Sequence, residues 1–550
     1  MRAIKNSTYI VNSLFLLVFS FIFLMCTESF AAPADHVPGQ YLVKLRAGAL
    51  QASHIHRLRA LGIKVSDPIP ETNIIVVERS TRESAKEAIK IIKQNPLVEY
   101  AEPNYIFRVN RLPEDPLFSK QWALRNVGQR DDFGEAGIAG VDIGVEGAWD
   151  LETGSSDVVV AVIDTGVNLQ LSDLKSNLWI NTAERDGLTG VDDDGNGWID
   201  DVNGYDFVNA KAEPLDDLGH GSHVAGIIGA AGNDGQGMTG ISWKVRLMPL
   251  KALGRSGEGT SQAAIEAIHY AIRMGAKIIN ASWGGSQSSQ LVEEAIREAS
   301  DKNILFVAAA GNSGTDNDQR PHFPASYSVP SIISVAAVDP QGKLASFSCY
   351  GKKSVHIAAP GTRILSASLK GYVSHSGTSM AAPHVSGVAA LVLSREPHLS
   401  ALEVKERLLE TARPMDSLLW KTVSKGIVNA NYALRKEIPP PAFGDPAHWE
   451  KVKILNFSTT HPYENQKELE WVVKIPGAKR ISLYFEKFET EDPYDRVTLF
   501  NANGVKIQSF AGTEGLGWTQ PLSGDTVKIV FRSNARNNFY GFDLTRAAYQ

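Results

Sequence analysis

Continuous apolar runs alternate with amphipathic stretches through the middle of the chain. Val158–Ile163, Lys277–Asn280 and Ile304–Ala309 read as strands buried on both faces, and Gln262–Met274 repeats its apolar residues at helical spacing. Strand and helix in turn predict an α/β fold from about 117 to 436, a doubly wound, mostly parallel sheet with helices on both sides. Ahead of it, Gln40–Leu45, Asn73–Val77 and Val98–Ala101 read as short strands, with a polar helix after the first and a second helix at Arg82–Lys93. These make a small α+β unit from Gly39 to about Arg108. The last 110 or so residues alternate in the manner of strands and lack a long helix, which predicts an antiparallel β-sandwich. Prolines mark the two joints, at Arg111–Pro116 and Ile438–Pro441.

The N-terminus has its own pattern. Arg2 and Lys5 precede the apolar run Leu14–Cys26, and Ser29 and Ala31 suit a small-x-small cleavage site. The run is shorter than the roughly 20 residues that span a bilayer, so it reads as a secretory signal over 1–31. Met25 before Cys26 does not suit lipid attachment. A net charge of -6, from 55 Lys+Arg against 61 Asp+Glu, argues against a partner bound through a broad basic face, so no nucleic acid is expected. Of two cysteines, Cys26 falls in the segment expected to be removed, which leaves Cys349 without an intramolecular partner. Packing, with bound ions, must then supply stability.

Three segments set a reactive side chain where a strand or loop ends. Val158–Ile163 delivers Asp164 at the C-terminal edge of a parallel strand, where open α/β sheets place ligands. Gly219-His220-Gly221-Ser222-His223 puts His220 on the first turn of a buried helix, with His223 one turn further in as a core histidine. The spacing of four with an adjacent Glu that a zinc helix needs is absent there. Ser379 stands before a helix rich in Ala, Val and Leu, and Gly377, Ala381 and Ala382 leave room for a substrate backbone. A helix start also offers unpaired N–H groups to an oxyanion. A serine hydroxyl needs an imidazole to take its proton, and the imidazole needs a carboxylate to fix its tautomer. Ser379, His220 and Asp164 fill those roles. Their chain order and the Gly-Thr-Ser-Met-Ala setting of Ser379 disfavour the lipase-type hydrolases.

Val191–Asp201 gathers five carboxylates around two glycines. Crowded like charges with hard oxygen donors suit Ca²⁺. Asp192, Asp194, Asn196, Trp198, Asp200 and Asp201 are the candidate ligands, with Asp192, Asp194, Asn196 and Gly197 at EF-hand-like spacing. Asn203 stands where the twelfth-position Glu would be.

The segments Asp164-Thr165-Gly166, His220-Gly221-Ser222-His223-Val224-Ala225-Gly226 and Gly377-Thr378-Ser379-Met380-Ala381, in that order, closely resemble the subtilisin-like serine proteases. The resemblance implies endopeptidase activity on protein or peptide substrates, with Asp164, His220 and Ser379 as the triad. It implies that Asn312, after the Ala-rich Phe306–Ala310, donates to the oxyanion. Gly257-Glu258-Gly259 and Ser282-Trp283-Gly284 match the family's two substrate-binding edges, and Trp283 there suggests a pocket for apolar or aromatic groups before the cut. Related subtilases carry similar acidic calcium loops. The segment ending Val98–Tyr105 resembles the family's inhibitory propeptide, an intramolecular partner over 38–110. The catalytic domain is expected over 111–436 and a CUB-like domain over 445–550. In that last family a Glu and two Asp bind calcium; Glu489 and Asp495 approximate two of them, and Asn534 stands at the third. The chain is thus expected to be a secreted zymogen without a stable membrane span once its signal is removed. The alternatives are an inactive scaffold that binds a surface through the CUB-like domain, and a narrow esterase.

Overall fold

The computed structural model describes residues 36–46, 64–66, 68–79, 84–105, 112–130 and 134–550. The apolar run Leu14–Cys26 and the helix expected after Leu45 lie outside the described residues. The chain forms two units, 1–109 and 110–550.

In the first unit β1 (His36–Leu45), β2 (Lys64–Val65), β3 (Ile74–Glu78) and β4 (Val98–Tyr105) make an antiparallel sheet in the order β2-β3-β1-β4. Alternate residues Tyr41, Val43 and Leu45 of β1 and Ile75 and Val77 of β3 point inward, onto Ala88 and Ile92 of α1 (Ala85–Ile92). A capping box starts α1: Glu87 N donates to Ser84 Oγ, and the Glu87 carboxylate accepts from Ser84 N.

In the second unit the long apolar runs become the centre of a nine-stranded sheet. Its strands are β5 (Val159–Asp164), β6 (Tyr205–Asp206), β7 (Arg246–Lys251), β8 (Ile278–Ala281), β9 (Leu305–Ala309), β10 (Ile332–Val338), β11 (Ile357–Pro360), β14 (Arg413–Pro414) and β15 (Gly426–Ile427), while β12 (Ile364–Ser368) and β13 (Gly371–His375) form a separate hairpin. The order is β14-β15-β11-β10-β9-β8-β5-β7-β6, parallel except for the edge strand β14. Successive residues explain the absence of polar alternation. Val160 and Val162 of β5 enter the core under α2 (His220–Gly229) and α5 (Thr378–Arg395), whereas Ala161 and Ile163 enter the core under α3 (Ser261–Arg273) and α4 (Gln290–Asp301). The chain passes from β5 to β7 on one side and then crosses to β8 on the other. The crevice at the C-terminal ends of β5 and β8 is therefore a topological switch point.

The last part of this unit is a β-sandwich, as expected. One antiparallel sheet runs β16 (Lys451–Ser458), β24 (Gly541–Tyr549), β18 (Arg480–Glu489), β21 (Gly517–Trp518), with β22 (Leu522–Ser523) also on β18. The other runs β17 (Glu468–Lys474), β23 (Thr526–Arg532), β19 (Arg496–Asn501), β20 (Lys506–Phe510). Phe485, Phe488, Phe531 and Phe542 fill the space between them. The sandwich meets the α/β part where Trp420 Nε1 donates to Trp518 O at 3.1 Å.

At the switch point the loop after β5 and the start of α2 approach so closely that only glycine fits at 221. A Cβ there would lie 2.0 Å from Gly166 O and 3.2 Å from Asp164 Cβ. Gly221→Ala must push the two segments apart and is expected to cost about 1–3 kcal/mol, read by guanidinium unfolding. Wild-type stability in that variant would contradict the close approach.

Candidate active site

Asp164 ends β5 fully buried, and His220 opens α2. His220 Nδ1 lies 2.7 Å from Asp164 Oδ1, which also accepts from Thr165 N at 2.7 Å. A carboxylate only accepts, so the ring carries its proton on Nδ1 and the neutral ring leaves Nε2 with a lone pair. Burial pushes the imidazole toward neutrality, but the charge of Asp164, its hydrogen bond and the charge of Asp216 outweigh that, holding the pKa above the usual 6.5.

Asp216 escaped the sequence reading, where it was one carboxylate in a polar loop. Its Oδ1 accepts from Thr165 Oγ1 at 2.8 Å and Gly219 N at 2.8 Å, and its Oδ2 from Ser222 N at 2.8 Å and Ser222 Oγ at 2.6 Å. Thr165 Oγ1 in turn accepts from Gly221 N at 2.9 Å. Asp216 thereby caps α2 and ties it to the residue after Asp164. Ser222 uses its hydroxyl in this network. His223 is a core histidine: Nε2 faces Ile364 O at 2.9 Å, and burial, then His375, push its pKa down to about 3.

Ser379 is in the first turn of the 18-residue α5. Its neighbourhood is set by a proline four residues on. Pro383 has no N–H for the Ser379 carbonyl, and Ser282 Oγ supplies the missing hydrogen bond at 2.8 Å. The Ser379 hydroxyl donates back to Ser282 O at 2.9 Å. The end of β8 and the start of α5 are thus locked together, with the hydroxyl resting on a carbonyl rather than on the imidazole.

Asn312 follows β9, and its Oδ1 accepts from Thr378 N at 2.8 Å and Thr378 Oγ1 at 3.0 Å. A backbone N–H can only donate, so the amide cannot be flipped and its NH₂ faces away from Thr378. The point where a Cβ on Gly377 would sit is 3.6 Å from both Asn312 Nδ2 and Ser379 N. Asn312 Oδ1, held by Thr378, is 3.8 Å from the same point, so the Asn312 amide and Ser379 N lie close together beside Gly377.

Gly257, Glu258, Gly259, Trp283 and Gly284 line one cavity of about 330 Å³, whose far wall is Val292, Phe323 and Tyr327. Trp283 Nε1 is pinned to Ile163 O at 2.9 Å. Trp283 also follows Ser282, whose carbonyl holds the Ser379 hydroxyl, so this cavity lies one residue along the chain from the serine's contact. Phe323 and Tyr327, distant in sequence, carried no signal of this role.

In the acidic loop two of the candidate ligands meet a carboxylate from outside the run. Asp194 and Asp201 converge with Glu184, their carboxylate oxygens within 4.8 Å of one another. Asn196 Nδ2 donates to Asp201 at 2.8 Å and Asp194 at 3.2 Å. Asp192 accepts from the Asn196 and Gly197 amides and Asp200 from Gly190 N, while Glu184 accepts from the Asp193, Asp194 and Asp200 amides. The Trp198 side chain packs on Tyr270 and Phe207. Burial raises the Asp201 pKa against hydrogen bonds from Tyr270, Asn196 and Asn181. In the sandwich, Glu491 rather than Glu489 is linked to Asp495. Asn534 N donates to Asp495 at 2.6 Å, and Asn534 and Asn537 amides donate to Glu491 at 2.6 Å.

Among the described residues no helix is long and apolar enough to cross a membrane. Residues 155–437 match the subtilase family, residues 28–104 the fervidolysin N-terminal prodomain and residues 448–545 the CUB domain. A thermophilic serine proteinase of Bacillus sp. (strain AK1) is 36% identical over 332 residues, 60% of this chain and 71% of that protein. Subtilisin DY of Bacillus licheniformis is 37% identical over 281 residues, 50% of this chain and 91% of that protein. The cell wall-associated protease of Bacillus subtilis (strain 168) is 34% identical over 447 residues, 81% of this chain and 44% of that protein. The chain belongs to the subtilase family and is a subtilisin-like serine endopeptidase with an N-terminal prodomain and a C-terminal CUB domain.

Proposed function

We propose that the protein is a secreted zymogen that cleaves peptide bonds through an acyl-enzyme on Ser379. The reading rests on the 2.7 Å contact between His220 Nδ1 and the buried carboxylate of Asp164, which leaves Nε2 as the base. Ser379 Oγ leaves the Ser282 carbonyl, gives its proton to His220 Nε2 and attacks the scissile carbonyl. The oxyanion forms in the volume beside Gly377, between Asn312 Nδ2 and Ser379 N. His220 then protonates the leaving amine, and water frees the acyl group. The substrate lies extended against Gly257–Gly259 and Ser282–Gly284, with an apolar or aromatic side chain in the Trp283 cavity. The signal spans 1–31, the inhibitory propeptide 38–110, the catalytic domain 111–436 and the CUB-like domain 445–550; cutting near 108–116 releases the propeptide.

The acidic loop fits a structural Ca²⁺. Its donors are all oxygen, and Glu184, Asp194 and Asp201 hold three carboxylates together where mutual repulsion favours a cation. Glu184 supplies the acid that Asn203 lacks.

Ser379→Ala should reduce turnover of an unfolded protein substrate by about a millionfold, the loss a related subtilisin suffers without its serine. Undiminished proteolysis by the folded variant would reject the assignment. Protonated His220 cannot take the serine proton, so kcat/KM should fall as pH drops through a midpoint above 6.5. The folding linkage has the opposite sign: the charged pair stabilises the native state at low pH, and that contribution fades as pH rises through the same midpoint. An acid limb centred at or below 6.5 would contradict the raised pKa. A calcium chelator should lower the thermal midpoint, since a site filled at a hundred times its Kd adds about 2.7 kcal/mol. Part of that shift should vanish in Asp194→Asn; an identical chelator response in the variant would remove calcium from this loop.

A further inference from the structure

Lys251 is the last residue of β7, beside Asp164 of β5 in the parallel register and beside Asp206 of β6 on its other side. Its side chain is only 1% exposed. A buried ammonium is costly unless each N–H finds an acceptor, and here each does. Nζ donates to Thr165 O at 2.7 Å, to Asp217 Oδ1 at 2.8 Å and to Leu253 O at 2.9 Å.

The three acceptors belong to three different loops. Thr165 follows Asp164. Asp217 lies in the loop that leads into His220, next to the Asp216 that caps α2. Leu253 opens the turn that carries Gly257–Gly259, being bridged to Gly259 and followed by the Gly254 N to Glu258 O bond. One nitrogen therefore spans the carboxylate, the imidazole loop and the substrate edge. Backbone hydrogen bonds join these loops in pairs, Leu253 N to Asp164 O at 3.1 Å and Val167 N to Pro214 O at 2.9 Å, and Lys251 Nζ joins all three at one point.

We infer that Lys251 is a positioning residue for catalysis: its ammonium fixes the Asp164–His220 pair at a set distance from the edge on which the substrate lies. The inference rests on the proposed triad and substrate edge. The proton relay itself does not pass through Lys251, which touches neither substrate nor reacting atoms. Methionine at 251 keeps the length but leaves the Thr165 and Leu253 carbonyls without their donor. Arginine keeps the charge, but a planar fork cannot set three donors around one point.

The test uses full-length protein matured by its own prodomain, with two substrates of unequal reach. A small serine-directed phosphonate reports the triad alone, and an extended peptide reports the triad and the edge. Lys251→Met should slow phosphonate inactivation at least tenfold and depress kcat/KM for the extended peptide further, with a raised KM. Lys251→Arg should resemble Lys251→Met. Rescue by arginine would mean that the charge, and not the three-way bond, matters, and would overturn the proposal. So would rates within twofold of wild type in Lys251→Met. Where Lys251→Met does not mature, Asp217→Ala serves, since Asp217 is 43% exposed and removes only the arm toward His220. It should slow the phosphonate while leaving the peptide KM unchanged, and an unaltered phosphonate rate would count against the inference. A Ser379→Ala variant that still proteolyses would instead defeat the triad reading, a distinct outcome.

Discussion

The fully buried carboxylate of Asp164 is the constraint on which the active centre depends. A charge at the end of a central strand, with apolar residues before it, is tolerable only if other groups bond to it. Thr165 N and His220 Nδ1 both turn to the same oxygen, Oδ1. Oδ2 has no hydrogen-bond partner among the described residues, so Oδ1 carries the contact to the imidazole. Everything nearby maintains that contact: Gly221 allows α2 to reach the β5 loop, Asp216 caps α2 while holding Thr165, and Lys251 braces the same loop from the other side.

The serine side is assembled by a separate device. Pro383 withholds a backbone donor from Ser379 O, and Ser282 at the end of β8 fills the gap. Two strands that flank the switch point thereby each fix one partner of the proposed reaction, β5 through Asp164 and β8 through Ser282. The Thr378–Asn312 pair then holds the Asn312 amide close to Ser379 N, at the start of α5. The chemistry is distributed over four loops, but the sheet sets the distances.

Much of this was legible in the sequence because the determinants are local. Val158–Ile163 and Ile304–Ala309 announce buried parallel strands by their unbroken apolar composition, and the small residues around His220 and Ser379 mark helices packed closely against a site. The acidic loop announced itself by charge density, but not which carboxylates meet: Glu184, which joins Asp194 and Asp201, lies outside the run. Asp216, Lys251, Phe323 and Tyr327 were not legible either. Their partners are far away in the chain, and an Asp in a polar loop or a Lys at a strand end has the same local appearance whether it is solvated or fully bonded. In the sandwich the resemblance pointed to Glu489 and Asp495, and the hydrogen bonds of Asn534 join Asp495 to Glu491, a contact between turns that no local pattern announces.

The most direct test is a crystal structure of the matured protein after reaction with a serine-directed phosphonate. The account predicts phosphorus bonded to Ser379 Oγ, with its phosphoryl oxygen about 3 Å from both Asn312 Nδ2 and Ser379 N, and His220 Nδ1 still on Asp164. A label on any other residue, or an oxygen turned away from both donors, would contradict it.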